Sequence, residues 1–360
     1  MLPVISFPPP HFPTFASPDF FLFCFSAYAQ PAVFSSPFPH YSLFPPGMPS
    51  FQSTFFRLSS QALRSGVRMD VDNIPQIRQL LEYSAIPLYL PAGVQTRSFR
   101  LAGMPAEWYL PRACDREHVL LYLHGGGYSA GSIATHRGLV GRLAQAAGVA
   151  ALQIEYRLAP EHPFPAALQD AVHAYEWLLA QGYPPSRIIM AGDSAGGGLC
   201  MATQLALREM GKPLPAGTVL FSPWVDLTFS GDSARTYATT DPIVHVAEVA
   251  GWGRAYAGDY RITHPMISPL FADLQDLPPV LIQASDSEAL TDDARRLHAK
   301  IQAIGGESTL ALSPAMLHVW QLFWRYLPEA EQAVLSAAAF LQACYTRPAQ
   351  RPAYRRAAGA

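Results

Sequence analysis

The chain has little that would commit it to a charged partner or to a metal. Its 360 residues carry 25 Lys and Arg against 27 Asp and Glu, a net charge of −2 at pH 7. No basic stripe or basic–aromatic alternation disturbs that balance, so nucleic acid is not expected as a partner. Cysteine is sparse too. Cys24, Cys114, Cys200 and Cys344 form neither a C-x-x-C pair nor a metal-ligand spacing, and no metal or cofactor is expected. Cys200 falls on a helical pattern and reads as a packed thiol. The first 47 residues nearly lack charge: Asp19 stands alone among phenylalanines and prolines. Recurrent proline argues against a spanning helix there, so no stable membrane insertion is expected. Phe20 to Phe25 followed by Ala27-Tyr28-Ala29 has the look of a short apolar region with an A-x-A cleavage site, but the basic n-region is missing. Residues 1–47 are therefore expected to be an extension outside the folded unit, consistent with an upstream translation artefact, with Met48 as the working start. A cytoplasmic location is expected, with secretion left open by this apolar segment.

What is present is a core-building chain. Half the residues are hydrophobic, enough for one large core. Strand and helix patterns alternate from about Val94 to Ala343, which predicts an α/β fold with a mainly parallel sheet covered on both faces. Two loops in this pattern carry chemistry. Arg187 to Ala191 reads as a short buried strand and Leu199 to Leu207 as a helix, and between them lies Gly192-Asp193-Ser194-Ala195-Gly196. This G-x-S-x-G on a strand-to-helix turn has the form of a nucleophile elbow, with the Ser194 hydroxyl exposed by strained backbone. The Ala195 N–H then lies at a helix N-terminus, where negative charge is favoured. A bare G-x-S-x-G often serves only close helix–sheet packing; the strand–turn–helix setting favours the nucleophile.

Upstream, the apolar strand Val119 to Leu123 runs into His124-Gly125-Gly126-Gly127-Tyr128, an HGGG-type loop whose N–H groups can converge on one oxyanion. A phosphate-binding reading fails, because no G-K-[ST] follows and the G-x-G-x-x-G spacing is absent. The candidate oxyanion donors are Gly126, Gly127 and Ala195. His124 is expected to stabilise the loop by hydrogen bonds, and Asp193 to contact a basic group or backbone.

Beyond these loops the chain resembles the bacterial hormone-sensitive-lipase-like esterases, family IV with its GDSAG motif, of the α/β-hydrolase superfamily. The likeness extends to Tyr156 through Ala167 (YRLAPEHPFPAA) with Asp170 after it, to Ser222-Pro223-Trp224-Val225-Asp226-Leu227-Thr228, and to Ser268-Pro269-Leu270. It covers roughly Phe51 to Ala343. The resemblance implies an α/β-hydrolase fold with a helical cap: an N-terminal cap segment over 48–85, core over 86–229 and 263–345, a second cap segment over 230–262, and a disordered tail over 346–360. The 48–85 segment should open on a helix from Phe51 to Arg64, and the second cap segment should carry one from Ile243 to Tyr256.

The resemblance also implies a serine esterase acting on short-to-medium acyl esters, p-nitrophenyl acetate to octanoate among them, through an acyl-enzyme. A homodimer would fit the family. In this superfamily serine, acid and histidine follow in that order. His318, in a loop after the predicted strand Ser308 to Leu312, is the expected base; His245 and His264 fall in the cap, and His298 on a helix. The acid should follow the strand Pro278 to Ala284, where aligning on Leu290 favours Glu288 and leaves Asp286 as runner-up. Thr291, Asp292 and Asp293 are expected to cap the next helix. Glu161, Asp170 and Asp226 match family positions that brace loops. Lactone or amide hydrolysis by the same machinery is the nearest alternative. A non-catalytic small-molecule receptor is the alternative of another class, which the presence of His318 argues against.

Overall fold

The structure is a computed structural model that describes residues 49–64, 71–85 and 89–346. The expectations for the first 47 residues, for Met48 as the start and for the tail beyond Thr346 fall outside these residues. Helices α1 (Phe51–Arg64) and α2 (Ile74–Ser84) precede a hairpin of β1 (Val94–Leu101) and β2 (Met104–Pro111). There follow β3 (Asp115–Leu123), α3 (Ile133–Ala147), β4 (Val149–Ile154), α4 (Ala166–Ala180), β5 (Ile188–Asp193), α5 (Ala195–Glu209) and β6 (Gly217–Phe221). After α6 (Asp232–Thr236) and α7 (Val246–Ala257) come β7 (Val280–Ser285), α8 (Thr291–Ala303), β8 (Ser308–Ser313) and α9 (Pro328–Tyr345).

The eight strands form one sheet in the order β1-β2-β4-β3-β5-β6-β7-β8. β2 pairs antiparallel with both β1 and β4, and every later pairing is parallel. The inner strands β4, β5, β6 and β7 are buried along their whole length, as is the Val119–Leu123 half of β3, because both faces are covered. Side-chain alternation divides the core in two. Leu121, Met190, Leu220 and Ile282 pack with α4, α5 and α8 on one face, while Leu120, Ile189, Val219 and Leu281 pack with α3 and α9 on the other.

Strands and helices stand where the sequence places them, with ends that shift for local reasons. The helix expected from Ile243 starts at Val246. Asp241 Oδ1 accepts the N–H groups of Ile243 and Val244 at 2.9 Å each, so those residues are spent in a turn before the helix. Thr291, Asp292 and Asp293 open α8, but none caps it: its N-cap is Leu290, without a side-chain bond. Asp292 Oδ2 instead accepts from Ser233 N at 2.8 Å, and Asp293 Oδ2 from Val225 N and Asp226 N at 2.8 Å each. These carboxylates tie the loop after β6 and helix α6 to α8. Desolvation and the nearby Asp226 charge push the Asp293 carboxyl well above the usual carboxylate range.

Among the described residues, no helix is long and apolar enough to cross a membrane. The two-sided core sets a stability expectation. Leu121 is fully buried in β3, so Leu121→Ala should lower the unfolding free energy by about 2–5 kcal/mol in chemical denaturation. A loss below about 1 kcal/mol would contradict the packing described for this strand.

Candidate active site

β5 ends at Asp193 and α5 begins at Ala195, so Ser194 alone makes the turn, with φ 51° and ψ −121°. A non-glycine residue there is strained by roughly 1–3 kcal/mol, and the surroundings must hold it. They do so through the backbone. Ser194 N donates to Phe221 O at 2.8 Å, and Ser194 O accepts from Trp224 N at 2.9 Å and Gly198 N at 3.1 Å. The turn passes so close to the preceding loop that a Cβ on Gly196 would lie 2.1 Å from Leu123 O, and one on Gly192 2.7 Å from it. Both flanking glycines of the motif are therefore required by contact.

The end of β6 collects the other groups. Ser222 takes a left-handed φ of 44° and donates its Oγ to Glu288 Oε1 at 2.8 Å. The same Oγ accepts from Val319 N at 3.3 Å, next to His318. Glu288 Oε1 also accepts from Ser285 N at 2.7 Å. Its Oε2 accepts from His318 Nδ1 at 2.5 Å, in surroundings where Glu288 is 1% and His318 7% exposed. Burial works against an imidazolium at His318, but the hydrogen bond and charge of Glu288 outweigh it and hold the pKa above the usual histidine value. The bond also leaves Nε2 as the nitrogen free to exchange a proton.

Asp286 is not in this chain of contacts. Its Oδ1 accepts from Ala315 N at 2.9 Å and its own carbonyl from the Tyr237 hydroxyl at 2.9 Å, so it braces the loop that carries His318. His245 and His264 lie on or beside the segment around α7, and His298 on α8 bonds Ser308 Oγ. The structure thus brings Glu288 and His318 together and leaves Asp286 and the other histidines apart from them.

The glycine loop is held from beneath. His124 donates Nδ1–H to Gly125 O at 2.8 Å, stacks on Tyr156 at 4.2 Å, and receives the Tyr156 hydroxyl on its carbonyl. Complete burial brings its pKa down to about 3, with the neighbouring His136 adding to the effect, so the ring is neutral and structural. Gly125 N donates to Asp193 Oδ1 at 3.0 Å, which removes it from the set of free donors. Gly126 and Gly127 follow with φ of 115° and 62°, and Ala195 N–H lies in the first turn of α5, where no intrahelical acceptor exists.

Helices from the two expected cap segments cover this loop. Ile74 and Ile77 of α2 cluster with Ala130 and with Trp252 of α7, whose ring lies against Gly127. Arg78 pairs with Glu161 at 2.8 Å and donates to Ser129 O and Ala159 O, joining α2 to the same loop. On α1, Arg57 donates to Ser287 Oγ at 2.7 Å and Ser53 to Met316 Sδ at 3.8 Å, each one or two residues from Glu288 or His318. Asp170 receives Arg157, side chain and backbone, and Asp226 receives Thr228, Ser230 and Arg296. All three acidic residues expected to brace loops do so.

Sequence reasoning passed over Ser222 and Asp241. Ser222 was within a segment singled out for resemblance, yet nothing local marks a serine before a proline as the link between acid and histidine. Asp241 Oδ2 accepts from Ala289 N at 2.8 Å, next to Glu288, although 48 positions separate them.

A strained serine at a strand-to-helix turn, a buried carboxylate–histidine pair on neighbouring strand ends and a glycine loop opposite define an α/β-hydrolase site. The comparisons with known proteins agree. A family model described as an α/β-hydrolase fold matches residues 120–322. An acetyl-hydrolase of Streptomyces hygroscopicus is 45% identical over 237 residues, covering 66% of this chain and 79% of that protein. An esterase of Acinetobacter venetianus is 36% identical over 248 residues, covering 69% and 82%. The crystal structure of an esterase from the bacterial hormone-sensitive lipase family superposes with a TM-score of 0.79 at 42% identity, covering 83% of this chain and all of that one. The crystal structure of EstE5 soaked with p-nitrophenyl butyrate superposes with a TM-score of 0.78 at 38% identity, covering 83% of this chain and all of that one. The chain belongs to the bacterial hormone-sensitive-lipase-like branch of the α/β-hydrolases and is a carboxylic ester hydrolase.

The electrostatics can be checked without substrate. In an NMR titration, the His318 ring should protonate above the ordinary value of 6.5, and Glu288→Gln should move that midpoint down. The His124 ring should stay neutral until the pH approaches about 3. An unchanged His318 midpoint in the Glu288 variant would contradict the pairing.

Proposed function

We propose that the chain hydrolyses short-to-medium acyl esters with Ser194 as nucleophile, His318 as general base and acid, and Glu288 as the group that orients His318. The observation that carries this reading is the bond from His318 Nδ1 to Glu288 Oε2, which points the other ring nitrogen out of the pair. Ser194 Oγ adds to the ester carbonyl carbon as its proton passes to His318 Nε2. The oxygen that becomes negative is met by the N–H groups of Gly126, Gly127 and Ala195, each worth about 3 kcal/mol of barrier where such donors have been removed. The tetrahedral intermediate collapses, His318 gives its proton to the leaving alkoxide, and an acyl-enzyme remains. Water then attacks with the same base, and the acid leaves with Ser194 restored.

Several observations support the assignment of Glu288 over Asp286. Glu288 is buried and takes two further donors on its other oxygen, which fix its orientation. Asp286 is occupied with backbone. The preference for short acyl groups draws on the relatives, one named an acetyl-hydrolase and one soaked with p-nitrophenyl butyrate. Trp252 against Gly127, with Ile74 and Ile77 beside it, favours a role for α2 and α7 as a cap over the acyl group.

Ser194→Ala should cut kcat on p-nitrophenyl butyrate by about ten-thousandfold or more. Glu288→Ala should cost about a thousand- to ten-thousandfold, and Asp286→Ala less than about tenfold. Near-full activity in Glu288→Ala would overturn the assignment. Because the base must be neutral, kcat/KM should fall as the pH drops through the raised pKa of His318. Across p-nitrophenyl esters, kcat/KM should be greatest between acetate and octanoate; a maximum at palmitate would overturn the chain-length preference.

A further inference from the structure

Behind the turn at Ser194 lies a second buried carboxylate–imidazole pair, which the mechanism above does not use. Asp193 and His136 are 2% and 5% exposed, and His136 Nε2 donates to Asp193 Oδ2 at 3.2 Å. The other oxygen, Oδ1, accepts from the Tyr122 hydroxyl at 2.7 Å and from Gly125 N at 3.0 Å. The carboxylate sits so close to the glycine loop that a Cβ on Gly125 would lie 2.1 Å from Asp193 Oδ2. One end of this contact is the residue before Ser194, and the other is the residue before Gly126.

The second ring nitrogen of His136 determines its charge. Nδ1 lies 2.8 Å from Thr135 Oγ1 and 3.3 Å from Ser132 O. The Thr135 hydroxyl bonds Ser132 O at 2.9 Å and accepts from Ser132 N at 2.8 Å, which leaves it one lone pair for Nδ1. A carbonyl only accepts. With a carboxylate at Nε2 and a carbonyl at Nδ1, both nitrogens face acceptors, an arrangement that an imidazolium satisfies.

The groups facing the ring are Asp193 on β5, Tyr122 on β3 and His124 just after it, and Glu155 after β4. Burial works against the cation, but the charge and hydrogen bond of Asp193 outweigh it and raise the His136 pKa. Desolvation likewise works against the Asp193 anion, and His136 outweighs it. His124 is neutral beside this pair.

We infer that His136 is a positioning residue for the glycine loop: as the buried counter-charge of Asp193, it fixes the carboxylate that anchors Gly125 N–H and so aims the N–H groups of Gly126 and Gly127. This rests on the reading of those two residues as oxyanion donors. Without the cation, Asp193 takes a proton or turns away, and either change weakens its hold on Gly125 N–H. The donors act most strongly on the charge of the transition state, so the effect falls on kcat and leaves KM nearly unchanged.

The test compares kcat and KM for p-nitrophenyl butyrate, and the affinity of a trifluoromethyl ketone, in the wild type, His136→Gln and His136→Leu. The ketone adds to Ser194 and places an oxyanion where the donors point. Glutamine keeps an N–H for Asp193 but no charge; leucine keeps neither. We expect kcat to fall about tenfold in the glutamine variant and about a hundredfold in the leucine variant, with KM within about threefold and ketone affinity falling in step with kcat. The wild type should also lose kcat at alkaline pH as His136 deprotonates, a limb that His136→Gln should lack. A folded His136→Leu protein with kcat and ketone affinity within about threefold of wild type would overturn the inference, as would a loss confined to thermal stability. If the leucine variant does not fold, the glutamine variant decides by the same measures. Ser194→Ala separates the two readings: turnover near the wild-type level there overturns the proposed mechanism, whereas the expected loss in Ser194→Ala beside fully active His136 variants overturns this inference alone.

Discussion

The reversal of the backbone from β5 into α5 at one residue governs the arrangement around it. Ser194 holds a positive φ that a serine does not choose, and the strain is borne by contacts with the neighbouring strands. Its N–H is taken by Phe221 O and its carbonyl by Trp224 and Gly198, so the turn can form only where β6 already lies alongside β5. The same closeness brings Leu123 O and His124 O within reach of Gly196, which sets the glycine loop opposite the serine. Sheet order, glycine content and the geometry of Ser194 are thus parts of one steric condition.

Two buried carboxylate–imidazole pairs flank that turn and differ in what surrounds the ring. His318 has Glu288 on one nitrogen, which leaves the other able to exchange a proton at ordinary pH. His136 has acceptors facing both nitrogens, and the charge of Asp193 raises its pKa. Between them His124, stripped of water and next to another histidine, stays neutral. The same side chain is given three protonation behaviours within one core by the partners at its two nitrogens. Each pair also ties together loops remote in sequence: Asp193 joins the serine turn to the glycine loop, and Glu288 joins the end of β6 to the His318 loop through Ser222.

Much of this was legible in the residues. The continuous apolar runs at Val119 to Leu123 and around Ile189 announce strands covered on both faces, because only a two-sided core tolerates them. G-x-S-x-G between a strand and a helix locates the turn. What misled was chemistry that looks local and is not. Asp292 and Asp293 have the residue types of a helix first turn, yet their carboxylates serve Ser233, Val225 and Asp226. The helix after Pro242 starts late because Asp241 uses its oxygens on the turn before it and on Ala289. A side-chain oxygen takes whichever N–H the fold brings near, and sequence distance carries no information about that choice.

Glu288 and Asp286 show where the division lies. Strand order and motif order place a carboxylate after β7 and a histidine after β8, since alternating patterns and glycine turns are written into neighbouring residues. Which carboxylate reaches the histidine depends on two residues of loop, on Ala315 N taking Asp286 and on Ser222 and Ser285 taking Glu288. Those partners come from three separate stretches of chain. The sequence by itself determined the fold and the chemistry-bearing loops, because short-range periodicity and steric demand encode them. Only the tertiary structure decided the pairing of charges, because hydrogen bonds of about 3 Å are set by the packing of distant elements.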